Sequence, residues 1–190
     1  YHPDLQKITR LLIDEKGIVE RIGHVCATED APALPQTPGG LHFTGIHALS
    51  RSSLKHVGEG FQCIVRSSYK ELIPNRKVVG VRHEGAWFDT GVPKEYFAAN
   101  MRALRGELPL SFDPWEVASD RFEDSFVHYA ADVEGSVKRT IVGEKAVVPR
   151  DAHVENCIVW DNVVVPEGIH RDGIFFDGGF LPIAQEEKDA

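Results

Sequence analysis

Asp89 is the residue whose type and setting point most directly to chemistry. It stands in the run Glu84-Gly85-Ala86-Trp87-Phe88-Asp89-Thr90-Gly91-Val92-Pro93, where an apolar stretch stops and Pro93 fits the first turn of a helix. Side chains on an extended stretch alternate, so Trp87 and Asp89 share one face while Ala86 and Phe88 share the other. In open α/β sheets, ligand crevices form beyond the carboxyl ends of strands. A carboxylate there is a hard oxygen ligand suited to Mg²⁺, which bridges to phosphate oxygens. Trp87 offers a flat apolar wall for a sugar to pack against. A second reading fits the residues equally well: Asp89 caps the helix that starts at Pro93. One aspartate alone is not a metal site.

Other reactive side chains form no readable constellation. His42 and His47 lie five apart on an expected strand, which turns them to opposite faces, and the remaining histidines lack ligand spacing. His128, His153 and His170 would serve as general bases in a hexapeptide acyltransferase, a class that needs more coils than the chain supplies. Ser50, Ser52 and Ser53 start a short helix. A phosphate contact among Arg66, Arg76, Lys77 and Arg82 is one reading, and a solvated face is the better one for each.

The elements that position Asp89 follow from hydrophobic pattern. Ile8–Asp14 and Ile18–Ile22 flank Gly17 and read as a β-hairpin. Residues 27–40, with Pro32, Pro35, Pro38, Gly39 and Gly40, are loop. Leu41–Leu49 reads as a buried strand interrupted at Thr44-Gly45. Phe61, Ile64, Val65, Ser68, Leu72 and Ile73 recur at helical spacing, ending at Pro74. Lys77–His83 is an expected strand, continued by Trp87–Asp89. Tyr96, Phe97, Asn100, Met101 and Leu104 then lay out the inner face of the next helix. Strand, helix, strand, helix is the grammar of a layered α/β domain.

After a patternless connection the texture changes. Val142, Val148 and Val154 open three consecutive six-residue units, each with a small or aliphatic residue fifth. Trp160–Val164 is one residue short, and Val165 resumes the pattern; Val127 and Val133 open looser units upstream. A period of six predicts a parallel β-helix, with aliphatic side chains stacked inward and Gly, Asn and Asp at the corners. The units fill two or three coils, a short stack that leans on its neighbours.

Phe43-Thr44-Gly45-Ile46-His47, Trp87-Phe88-Asp89-Thr90-Gly91-Val92-Pro93 with Tyr96, and the trailing hexads together resemble the sugar nucleotidyltransferases (nucleoside-diphosphate-sugar pyrophosphorylases). The nearest branch is mannose-1-phosphate guanylyltransferase-like, with its hexapeptide tail. The resemblance covers about residues 8–105 and 127–180. It implies the fold: part of a Rossmann-like α/β nucleotidyltransferase domain (1–108), a linker (109–125) and a short left-handed parallel β-helix (126–190). It also implies the activity, which is nucleotidyl transfer from an NTP to a sugar 1-phosphate with release of pyrophosphate. Asp89 then corresponds to one of two Mg²⁺-binding aspartates, and Phe43, Thr44, Gly45 and Trp87 to the sugar pocket. The family's Gly-rich phosphate loop and first metal-binding aspartate have no counterpart in these 190 residues, and Glu20-Arg21-Ile22 stands where a glutamate–lysine–proline motif is expected. No catalytic residue is therefore assigned to this chain, and alone it is expected to be inactive. A non-catalytic regulatory or scaffold relative of the same architecture is the alternative.

Composition narrows the partners. A formal net charge of -8 argues against a broad nucleic-acid or anionic-membrane surface, and no apolar run is long enough to span a bilayer. Three scattered cysteines, Cys26, Cys63 and Cys157, form no CxxC pair and fit a reducing, cytoplasmic setting. The opening Tyr1-His2-Pro3 lacks a methionine, which suggests that residues precede it. A partial sheet and a short solenoid leave apolar surface to cover, so homo-oligomerisation or association through the β-helix is expected.

Overall fold

The computed structural model describes residues 9–29, 33, 41–119, 122 and 124–183. By its internal contacts the chain divides into two compact units, Tyr1–Gly85 and Ala86–Ala190.

The first unit sets a sheet against helical turns. Strands β1 (Arg10–Ile13), β2 (Val19–Ile22), β3 (Val25–Cys26) and β4 (Leu41–His42) pair antiparallel in the order β3-β2-β1-β4. The expected hairpin is β1–β2, and Gly17 supplies the left-handed φ of +79° that its turn requires. Val19, Ile22 and Val25 are buried against Tyr69 and Ile73, each large aliphatic contributing roughly 1.5–3 kcal/mol. Tyr69 and Ile73 come from the expected helix, which is shorter than its spacing implies. It consists of a π-type turn, Val65–Tyr69, running into a single α-helical turn, α1 (Lys70–Leu72). Phe61 lies outside it and is fully exposed.

Two expected strands do not form. The run Leu41–Leu49 is a strand only at Leu41–His42, because Gly45 adopts φ +80° and turns the chain outward, leaving Ile46 76% exposed. His42 and His47 therefore do not share a strand. In Lys77–His83 the backbone of Val78, Val79 and Gly80 pairs with Gly17–Val19, while the Val79 and Val81 side chains stand in solvent. Trp87–Asp89 is not a strand either. β-branched residues raise strand propensity, but a strand also needs a partner along its length. Most of the expected 27–40 loop, and Ile8, fall outside the described residues.

In the second unit helix α2 (Pro93–Leu104) begins with proline in its first turn, as expected. Beyond it lies a parallel β-solenoid of about three turns, the architecture the hexads predict and consistent with a left-handed β-helix. Its first side stacks β5 (Phe126–Val127), β8 (Ile141–Val142) and the ends of β10 (Ala152–Val159) and β11 (Gly168–Phe176). Its second side stacks β7 (Ser136–Lys138) with β10 and β11. The third pairs β6 (Asp132–Val133) with β9 (Val147–Val148), and Val147 bridges to Val164. Stacked positions Phe126, Ile141, Ile158 and Ile174 lie 15, 17 and 16 residues apart, slightly less than three full hexads per turn.

Inside, Val127, Val142, Val159 and Phe175 form one column, and Val133, Val148, Val154 and Val165 fill the rest. The short unit resolves differently from its reading: Trp160 is 46% exposed and Val159 points inward instead. Corners take left-handed residues in register, with Arg139, Asn156 and Asp172 in one column and Lys145 and Asn162 in another. Buried Thr140 is satisfied: its hydroxyl donates to the Lys138 carbonyl at 2.9 Å and its amide donates to Ser125 Oγ at 3.1 Å. Both ends of the first side are closed by antiparallel chain. Residues 117–119 close it before β5, and β12 (Gly179–Pro182) closes it after β11.

Outward-facing Ile158 and Ile174 are also buried, by Met101 of α2, with Tyr96, Phe97, Leu104, Ile141 and Ile183 around them. The helix read with residues 1–108 thus shares its core with the solenoid.

Candidate functional site

The sequence singled out two segments, and they fall in different compact units. In the first, β4 delivers Phe43, whose amide donates to the Thr9 carbonyl at 2.7 Å and extends the ladder by one residue. The Phe43 ring packs near two others, 5.9 Å from His47 and 6.2 Å from Tyr69; His47 and Tyr69 are 5.9 Å apart. This aromatic triangle fixes the root of the Thr44-Gly45 turn, since edge-on and offset rings prefer such separations. Thr44 Oγ1 accepts from the Ile46 amide at 3.4 Å. Gly45 is exposed, and a Cβ there would meet nothing within 4 Å, so its backbone is open to a ligand. Burial raises the pKa of the Tyr69 hydroxyl, which stays protonated at neutral pH.

In the second segment Trp87 and Phe88 are half-buried and Asp89 is exposed. Asp89 Oδ1 accepts from the Gly91 amide at 3.1 Å. The helix N-cap is Val92, which makes no side-chain cap bond. The capping reading of Asp89 therefore does not describe this turn, because its carboxylate folds onto Gly91 before the helix begins. The guanidinium of Arg102 lies over the Phe88 ring, 5.0 Å from its centroid. With Trp87–Asp89 not in a strand, Asp89 does not stand at the carboxyl end of one.

Asp89 does not make a Mg²⁺ site by itself. Hard divalent cations take several oxygen ligands, and among the described residues no group of three or more His, Cys, Asp or Glu side chains could hold a metal ion. Arg66, Arg76, Lys77 and Arg82 are exposed, and Arg76 pairs with Asp14.

Sequence reasoning missed the partners of both segments. Tyr69 sits at helical spacing from Val65 and Ile73 and was legible as a core position. Arg102, next to inward Met101 on α2, carried no signal, because the ring it covers lies before the start of the helix.

No family model matches the chain. Comparison with curated proteins finds distant relatives. The glucose-1-phosphate adenylyltransferase of Bacillus cereus strain Q1 is 27% identical over 161 residues, covering 73% of this chain and 41% of that protein. The glucose-1-phosphate adenylyltransferase of Bacillus cytotoxicus is 23% identical over 146 residues, covering 63% and 39%. The chain thus spans about two fifths of the length of the curated relatives it matches. Either match takes in more residues than one compact unit holds, so the likeness extends beyond the hexads into both units. These similarities support the sugar nucleotidyltransferases in general and not the guanylyltransferase-like branch.

Proposed function

We propose that the product of this gene transfers a nucleotidyl group from an NTP to a sugar 1-phosphate. A sugar-phosphate oxygen attacks the α-phosphorus in line, the bond to the β-phosphate oxygen breaks, and pyrophosphate leaves. The observation that carries this reading is the match to glucose-1-phosphate adenylyltransferases across both compact units, since a likeness confined to the solenoid would speak only to architecture.

In this reading Phe43, Thr44 and Gly45 contact the sugar through the open backbone of their turn, and Trp87 is a sugar-binding residue by the resemblance of its motif. Asp89 supplies one carboxylate to Mg²⁺, whose charge would neutralise the phosphates, and the other ligands lie outside the described residues. The chain alone is inactive, because the triphosphate-binding motifs implied by the resemblance are not among its residues. Three unpaired cysteines and the absence, among the described residues, of a helix long and apolar enough to cross a membrane fit a cytoplasmic enzyme. Association through the solenoid would set its oligomeric state.

The relatives' names put ATP and glucose 1-phosphate first among the pairs to test, ahead of GTP and mannose 1-phosphate. The second reading, a non-catalytic regulatory or scaffold relative, draws on the absence, among the described residues, of a group of three or more side chains that could hold a metal ion. A hexapeptide acyltransferase is disfavoured by a solenoid of about three turns closed by antiparallel chain on its first side.

The test is pyrophosphate release by the product of the intact gene, with each NTP and sugar 1-phosphate in Mg²⁺. We expect turnover with at least one pair, and a loss of about 100-fold or more in kcat for Asp89→Ala, the scale of removing a charge-stabilising group. Turnover undiminished in Asp89→Ala would remove Asp89 from the site. No turnover with any pair would favour the scaffold reading.

A further inference from the structure

Phe88 and Arg102 meet although most of α2 separates them in sequence. The five steps of extended chain from Phe88 to Pro93 reach about 17 Å, and the nine steps of helix from Pro93 to Arg102 rise about 14 Å. The contact therefore means that the segment carrying Trp87, Phe88 and Asp89 doubles back along α2 instead of leading straight into it. One contact that holds it there is the cation over the ring, 5.0 Å from the centroid. Arg102 is itself fixed by its neighbours, since its Nε donates to Glu107 Oε2 at 3.1 Å and Glu107 also pairs with Arg105.

The neighbouring face of the same helix belongs to the solenoid. Met101, adjacent to Arg102, is buried against Ile158 and Ile174. Tyr96 packs edge-on against Trp160 at 6.3 Å, and Trp160 against Phe176 at 6.0 Å. Helix α2 thus holds the solenoid on one side and the Trp87–Asp89 segment on another.

We propose that Arg102 is a positioning residue for Asp89: the solenoid's isoleucine column fixes α2, and Arg102, clasping Phe88, carries that fixity to the Trp87–Asp89 segment. This rests on the reading of Asp89 as a metal-binding carboxylate. It gives the solenoid a role in the site besides any part in assembly. An exposed cation–π contact is modest, so its loss should misplace the segment without unfolding the unit. Arginine stacks on a ring better than lysine does, and alanine cannot stack at all.

Two readouts separate this inference from the function it rests on. In the full chain labelled with 5-fluorotryptophan, fluorine NMR reports Trp87, Trp115 and Trp160 individually. We expect Arg102→Ala and Phe88→Leu to shift or broaden the Trp87 resonance while Trp115 and Trp160 stay in place, and Arg102→Lys to recover part of the parent spectrum. A Trp87 resonance unmoved by either variant, or a Trp160 resonance that moves as far, would overturn the proposal. In the product of the intact gene, Arg102→Ala should lower kcat about 3–10-fold and raise the Mg²⁺ concentration needed for half-maximal rate, with KM for the sugar phosphate within twofold. A rise in KM alone would overturn the link to Asp89. A parent without turnover would sink the function and leave the fluorine spectrum to decide whether Arg102 holds the segment.

Discussion

Asp14 ties the first hairpin to the helical turn behind it. Its Oδ1 accepts from the amides of Lys16 and Ile18, at 2.9 and 2.8 Å, and its other oxygen pairs with Arg76. The Ile18 amide is the chief cause that holds its pKa below the usual carboxylate range, with Arg76 and Lys16 adding to it against some desolvation. A carboxyl whose folded pKa is depressed stabilises the fold above its unfolded pKa, about 3.9, and that contribution is lost as pH falls through the folded value. Asn in its place keeps an acceptor and removes the charge. We expect the parent to melt above Asp14→Asn at pH 6 and the gap to close as pH drops below about 4; a gap independent of pH would assign the effect to hydrogen bonding alone. Asp89 was legible in the sequence by the same reasoning about carboxylates and turns. Its actual partner, Gly91, was not, because a side chain's choice between a helix terminus and the nearer amide of its own turn depends on backbone geometry that residue types leave open.

The solenoid was legible as an architecture, because six-residue periodicity repeats one inward position many times over. Val142, Val148 and Val154 are all buried as their spacing requires. The strands of the first unit were harder. Val79 and Val81 have the composition of a strand, yet the pairing with Gly17–Val19 runs through residues 78–80 alone, and pairing is set by distant chain. Corners add a second rule to the hexads. Asn156 sits at φ 51°, and its Nδ2 donates to Asp172 Oδ1, one turn on, at 2.6 Å. Asn tolerates that conformation; alanine strains it by about 1 kcal/mol or more and also loses the bond, worth about 1 kcal/mol. Glycine keeps the conformation and loses only the bond. Denaturant unfolding should therefore show Asn156→Ala costing about 2 kcal/mol and Asn156→Gly about half of that. Equal losses would mean that the side-chain bond, not the corner geometry, matters. Gly135 follows a different constraint: a Cβ there would lie 2.4 Å from the carbonyl oxygens of both Pro149 and Ala152, so close packing of successive turns excludes any side chain.

At the scale of the molecule, two cores of different size stand behind the two segments. One is the small cluster of Val19, Ile22, Val25, Tyr69 and Ile73, and the other is the filled solenoid with α2 against it. The sequence reading gave α2 to the first part because strand–helix alternation ran through it. Its inner face was identified correctly, but what that face covers was not: the hexads count Ile158 as the fifth, inward position of its unit, and it packs against Met101 of α2 instead. The motif residues Phe43–Gly45 and Trp87–Asp89 were legible as motifs through their resemblance to sugar nucleotidyltransferases, and the likeness to glucose-1-phosphate adenylyltransferases supports that family through both units. The most direct measurement is phosphorus NMR of the product of the intact gene incubated with Mg²⁺, ATP and glucose 1-phosphate, followed by the other NTP and sugar pairs. The expected result is loss of the sugar phosphomonoester signal and growth of two coupled diphosphate signals together with pyrophosphate. A phosphomonoester signal that persists with every pair, or that gives way to orthophosphate alone, would contradict nucleotidyl transfer.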